Sequence, residues 1–210
     1  GIFVETPLQL WERVSVVPGA TLYYATGPGW ALWPGIDFGV DLAERLRLFG
    51  GVDYSFRIPT FTERYYDSPG NRGDPNLDAE RALSYAVGLR GGMGPVDGTL
   101  VGYYRRGRDI LDWVRAEGFS RWHASNVDEV NAAGGEAVCR VRLQGPFAQQ
   151  PLRLGAGYAF TDLSRSSGRL RAEYVAVVDS TMDPATVALD YKYGSSYLRH
   201  KLTASIDHSL

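Results

Sequence analysis

Period-two alternation of apolar with polar or small side chains recurs along this 210-residue chain and restricts its fold more than any motif does. Successive side chains of a strand point to opposite faces, so a sheet with one apolar face must be written this way. Ile36, Phe38, Val40 and Leu42 alternate with Asp37, Gly39, Asp41 and Ala43. After a break near Glu44, Leu46, Leu48, Gly50, Val52, Tyr54 and Phe56 alternate with Arg45, Arg47, Phe49, Gly51, Asp53, Ser55 and Arg57. The same scheme runs through Leu83–Arg90, Glu136–Gln144, Leu152–Thr161 and Leu202–Asp207, and it places Cys139 on the apolar face. A strand is also expected from about Arg13 to Tyr24, with Pro18 marking a bulge or edge irregularity, and another over Thr99–Arg105.

Two architectures alternate like this. A soluble β-sandwich turns its apolar face inward and keeps most charges away from the core. A transmembrane barrel turns the apolar face to lipid, leaving Arg, Asp, Ser and Gly for the lumen. Segments of ten or more residues suit a tilted bilayer crossing better than the five or six usual in soluble sheets. The connections are unequal: short breaks at Leu42–Glu44, Gly91–Asp97 and Gly145–Gln150 alternate with long ones at Arg57–Asp78, Gly107–Ala133 and Asp162–Tyr197. Outer-membrane barrels have this asymmetry. The last long connection has room for further strand around Leu170–Val178, and Tyr65, Tyr66, Trp113 and Trp122 read as an interfacial girdle or a ligand mouth.

Composition removes other classes. Twenty-two Lys and Arg against 24 Asp and Glu give a net charge of -2, without the basic footprint of a nucleic-acid binder. One cysteine and three scattered histidines offer no internal disulfide and no zinc cluster. No run approaches the roughly 20 apolar residues of a spanning helix. Nucleophile-elbow, zinc-protease and phosphate-loop motifs are missing, so neither an enzyme nor a bound cofactor is expected. The 25 Gly and 13 Tyr suit twisted strands and membrane interfaces.

The stretch from Ser55 to Tyr66, with Phe56-Arg57, Pro59 and Glu63-Arg64-Tyr65, resembles the F-R-x-P-x-x-x-E-L-Y segment of TonB-dependent outer-membrane receptors, with Arg64 in place of Leu. Gly70-Asn71 through Leu77 to Glu80 resembles their G-N-x-x-L-x-P-E return, lengthened and with Ala79 for Pro. Tyr85–Arg90 resembles Y-E-x-G-L-R, with Ala86 for Glu, and Tyr103–Trp113 resembles F-x-R-x-G-x-D-I-I-D-W. Asn126 and Gly135-Glu136 resemble the N and G-x-E that follow, and Tyr197–Leu202 resembles Y-x-R-H-K-L, most like the cobalamin-receptor-like branch. These pieces stand in the family's order from about Val14 onward.

The resemblance implies an all-β fold: part of an antiparallel transmembrane β-barrel, about eight strands of a plugged barrel of about 22. Residues 1–210 would all belong to the barrel, a middle-to-late portion without the plug domain. It implies TonB-driven uptake of a scarce chelate, cobalamin or an iron-siderophore, at the outer membrane of a Gram-negative bacterium. The partners would be the lipid bilayer, the ligand, and the TonB complex acting through a plug. Tyr65, Tyr66, Asn71, Trp113, Trp122 and His123 are the candidate ligand contacts on extracellular loops. Arg57 and Glu80 bracket the first long loop as a tie or a solvated rim pair, and Glu136 with the lumen-facing arginines and aspartates forms structural charge ladders. Two alternatives stay open: a complete eight-stranded barrel with an adhesin or structural role, and a soluble β-sandwich carbohydrate-binding module.

Overall fold

In the computed structural model, residues 1–25, 29–116, 120–143, 152–165, 189–192 and 198–207 are described. The long strands are β3 (Val14–Ala25), β4 (Gly29–Ala43), β5 (Leu46–Arg57), β8 (Glu80–Met93), β9 (Val96–Ala116), β10 (Trp122–Leu143), β11 (Leu152–Arg165) and β13 (His200–Asp207). Shorter pieces are β1 (Ile2–Glu5), β2 (Leu8–Trp11), β6 (Asp67–Ser68), β7 (Asn71–Arg72) and β12 (Leu189–Tyr191), with one helical turn, α1 (Phe61–Tyr65). All strands join one sheet in the order β1-β3-β4-β5-β8-β9-β10-β11-β13, and β2 continues the edge beside β3. Every pairing is antiparallel except the short β7–β10 contact.

Among the described residues β1 pairs only with β3 and β13 only with β11, so the arc does not close into a small barrel. Nor does a second layer cover its apolar side: Leu100 is 58% exposed and Leu202 82%. That overturns the β-sandwich, which needs those rows sealed in a core.

Cross-strand register assembles the alternating segments into continuous rows. Val14, Val40, Leu48, Leu89, Leu100, Ala137, Tyr158 and Leu202 lie opposite one another in sequence across eight strands. The edge of this apolar band is oblique to the rows. It falls between Leu83 and Arg81 on β8, between Tyr104 and Arg106 on β9, and between Ala133 and Asn131 on β10. On β11 it falls between Phe160 and Asp162, and on β13 between Leu202 and His200, three rows below its level on β8. Strands tilted to a membrane normal require this drift, because a horizontal boundary then cuts successive strands at successively shifted residues. Measured along the strands, the band is roughly 20–25 Å tall once a tilt of about 40° is taken out.

The polar face is concave. Tyr103 of β9 reaches over Gly134 of β10 to Thr161 of β11, with 2.5 Å between the hydroxyls. Arg47 of β5 likewise crosses Gly39 of β4 to Ser15 of β3 at 2.6 Å. Bonds that span an intervening strand are short only on the inside of a curved sheet, and glycine beneath each side chain leaves the room. Toward the tight turns the concave face opens a hollow of about 970 Å³ lined by Asp41, Arg47, Arg90, Thr99, Arg140 and Arg142. Arg47 pairs with Asp41 at 2.8 Å, and Asp97 stands 3.7 and 3.5 Å from Arg140 and Arg142.

One expectation resolves between its alternatives, one is corrected, and two lie outside the described residues. Of the two readings of Pro18 the edge irregularity holds and the bulge does not, since β3 stays in register with β4 through the Pro18–Ile36 pair. Its carbonyl accepts from Thr6 on the other side, and amide and carbonyl of a strand residue point the same way. The missing donor therefore faces the edge, where β1 and β2 are interrupted. Residues 107–133 are not a long loop: β9 and β10 run on as a paired ribbon about 30 Å beyond the apolar band, from Gly107 and Val130 to Ala116 and Trp122. The proposed strand at Leu170–Val178 and the turn Gly145–Gln150 lie outside the described residues.

Candidate functional site

The connection from β5 to β8 is built, not loose, and it begins at an N-cap. Thr60 precedes α1 and Glu63 occupies its third position, the spacing of a capping box. Thr60 Oγ1 accepts from the Glu63 amide at 3.2 Å, and Glu63 Oε2 accepts from the Thr60 amide at 2.7 Å. Arg57, the last residue of β5, donates to both carboxylate oxygens of Glu63 at 3.0 Å and to Glu80 Oε1 at 2.7 Å. The same Glu80 oxygen accepts from the Leu111 amide at 2.7 Å. One guanidinium thus ties together both feet of the segment and, through Glu80, the β9 extension.

These contacts set the protonation states. The Glu80 hydrogen bond, opposed by burial and aided by Glu63, raises the Arg57 pKa above its ordinary value. Burial alone would raise that of Glu63, but the Thr60 amide and hydroxyl and Arg57 outweigh it and hold the carboxyl below its usual range.

Asn126 on β10 supplies a second clamp. Its Oδ1 accepts from the Asp78 amide at 2.9 Å, and its Nδ2 donates to the Asp78 and Asp109 carbonyls at 3.1 and 2.7 Å. Asp109 has φ 54°, a left-handed conformation that Asp tolerates better than most residues. Beyond this kink Leu111, Trp113 and Ala124 are buried together with Leu77 of the β5–β8 segment, and Trp122 packs against them. A small apolar core therefore joins the segment to the ribbon.

The six candidate contacts separate into two groups. Trp113, 8% exposed, belongs to the apical core, and Trp122 flanks it beneath the Arg115 guanidinium at 4.5 Å. Neither lies in a girdle at the strand ends. Aromatics near the band edge are instead Tyr24, Trp30, Tyr85 and Tyr104, while Trp33 stacks on Tyr54 and Phe56 beyond the Gly35–Asp53 pair, where the β4–β5 pairing ends. Tyr65 and Tyr66 are exposed, at 55% and 47%. Asn71 and the half-buried His123 come together where β7 runs beside β10, in the Asn71–Trp122 and Arg72–His123 pairs. Burial first, then Arg121 and Arg72, pushes the His123 pKa below the ordinary imidazole value.

Glu136 lies mid-sheet on the polar face, between Val101 and Ala159, away from the loop base. Sequence reasoning missed Phe61, whose exposed ring lies 4.9 Å from Tyr65, and it missed Glu63 as the third member of the Arg57 network. The T-x-x-E spacing before Tyr65 carried that second signal. No group of metal-ligating side chains occurs among the described residues.

A tilted, bilayer-facing arc around a charged hollow, extended at one end by a folded cap, is the wall of a large outer-membrane receptor barrel. The chain belongs to the TonB dependent receptor-like β-barrel family, whose pattern it matches over residues 1–203. Its place is the outer membrane.

The vitamin B12 transporter BtuB of Vibrio vulnificus (strain YJ016) is 28% identical over 99 residues, 47% of this chain and 16% of that protein. Among solved structures, the siderophore receptor PirA from Pseudomonas aeruginosa superposes with a TM-score of 0.63 at 19% identity, covering 78% of this chain and 31% of that one. The copper transporter OprC superposes with a TM-score of 0.62 at 19% identity, covering 80% and 30%. These structural likenesses establish the fold, and the chain spans about a third or less of each relative's length.

Proposed function

We propose that this chain forms part of the barrel of an outer-membrane receptor that captures a bulky chelate, cobalamin or an iron-siderophore, and admits it through TonB-driven movement of a plug domain. The observation that carries the reading is the exposed Phe61–Tyr65 pair on a helical turn clamped by Arg57 and Glu63. Flat, rigid side chains held in advance offer a large ligand contact area at little entropy cost. Tyr66, Asn71 and His123 extend the same apical surface, while Trp113 and Trp122 support it from below.

The vitamin B12 transporter among the relatives favours cobalamin. Arg72 and Arg121 beside His123 favour a second reading, a negatively charged ferric siderophore. Equilibrium binding of cyanocobalamin and of a ferric catecholate to the complete receptor separates the two. Phe61→Ala with Tyr65→Ala is expected to weaken the true ligand by about 2 kcal/mol or more. If neither probe binds, or the double variant binds as tightly as wild type, the reading fails.

A further inference from the structure

Three arginines face outward where an apolar surface ends. Arg81 on β8 and Arg108 on β9 are directly opposed, and Arg106 on β9 lies diagonally between them and the Tyr85–Tyr104 pair. Parity places all three on the side of Leu83, Tyr85 and Tyr104, which is the bilayer side, and all three are exposed. Arg81 and Arg106 occupy the first outward positions above the apolar band on their strands and Arg108 the second, at the end of the sheet carrying the long connections. The tyrosine rings, 6.5 Å apart, mark the boundary immediately beneath.

Among the described residues one carboxylate, Glu129 of β10, faces these three cations, and it lies directly opposite Arg108. Glu129 accepts from Arg106 at 2.9 Å and from Asn131 at 2.8 Å, and it also acts on Arg108. Arg81 and Arg108 remain a like-charged cross-strand pair, an arrangement that destabilises a sheet unless an anion lies between them. Guanidinium forks match phosphate oxygens in pairs, and lysine would not replace them equivalently. The place is also unlike the hollow, where arginines alternate with Asp41 and Asp97.

We propose that Arg81, Arg106 and Arg108 form an outward site for the phosphate groups of a phosphorylated glycolipid of the outer leaflet, whose acyl chains lie along the apolar band below Tyr85 and Tyr104. The site holds a boundary lipid at β8 and β9, independently of the ligand captured at the apical cap.

The test uses the complete receptor, delipidated in mild detergent, with bisphosphorylated lipid A and its dephosphorylated form as probes in native mass spectrometry. The phosphorylated lipid is expected to bind and the dephosphorylated one to be weaker by about tenfold or more, as removing an interaction with two or more surface cations implies. R81Q/R108Q should bring the phosphorylated lipid to the same weak level, while R153Q on the polar face should leave it unchanged. Equal binding of both lipids, unchanged binding by R81Q/R108Q, or equal weakening by R153Q overturns the proposal. Complete displacement by inorganic phosphate overturns the lipid as its source. If R81Q/R108Q does not fold, the comparison of two lipids on the wild-type receptor decides.

Discussion

Arg57 and Glu80 meet at 2.7 Å where the first apical segment leaves β5 and rejoins the sheet at β8, and the same Glu80 oxygen holds the Leu111 amide. The Glu80 side chain is 13% exposed and that of Arg57 42%, so the pair is shielded on its carboxylate side. Glu80→Ala removes the acceptor of the Leu111 amide and one of the two carboxylates on Arg57, which keeps Glu63. The expected cost is about 2–3 kcal/mol, concentrated in residues 57–80 and the ribbon, because unpaired shielded groups cost more than an exposed ion pair contributes. Hydrogen exchange should show faster opening there and little change in β10–β11 pairing; a uniform change would contradict the local clamp.

Acid should open the same segment. The folded-state pKa of Glu63 lies below its unfolded value, so its contribution is complete above the ordinary carboxylate range and is lost as pH falls through the depressed folded value. Proteolysis between Arg57 and Glu80 with an acid-stable protease should accelerate below about pH 4 in wild type. Glu63→Gln should be open already at neutral pH and show a flatter profile.

Leu77→Ala empties a site 4% exposed between Trp113 and Ala124. Loss of about 2–4 kcal/mol is expected, since the cavity adds to the lost transfer energy. Quenching of tryptophan fluorescence by acrylamide should rise as Trp113 is uncovered. Unchanged quenching would separate Leu77 from that core.

Arginine tolerance should differ between the two faces of β8. Val87→Arg, mid-band and 52% exposed, is expected to cost about 2–4 kcal/mol in bilayer folding titrations. Ala86→Arg, one residue away on the concave side, should stay within about 1 kcal/mol, as lumen substitutions mainly alter what the lumen admits. Equal costs would contradict the orientation of the sheet.

Gly134 lies under the Tyr103 side chain, where any Cβ would meet both the phenol and the Phe160 carbonyl. Gly134→Val should displace Tyr103 from Thr161 and cost about 1–3 kcal/mol by overpacking. Tyr103→Phe removes only the hydrogen bond, about 1 kcal/mol. Thermal unfolding of the complete receptor should rank the variants in that order.

Strand faces were legible in the residues because alternation is a local property: each of Ile36, Phe38 and Val40 reports its own side without knowledge of a neighbour. The ordered motifs around Arg57, Glu80 and Asn126 were legible for the same reason, as residues tied to turns and strand ends. The extension of β9 and β10 was not. Between Gly107 and Val130 the ribbon has no lipid on either side, so polar and apolar residues no longer alternate and the segment reads as a loop.

By itself the sequence determined which side of each alternating strand is apolar, since that depends on a side chain's chemistry and its parity, while the open, single-layered arc showed that this side is not sealed in a core. Only the tertiary structure decided that Trp113 is buried core while Phe61 is exposed, that Arg57 recruits Glu63 as well as Glu80, and that Arg81 opposes Arg108. Those relations depend on register between strands and on a kink at Asp109, where pairing brings distant residues within a few ångströms.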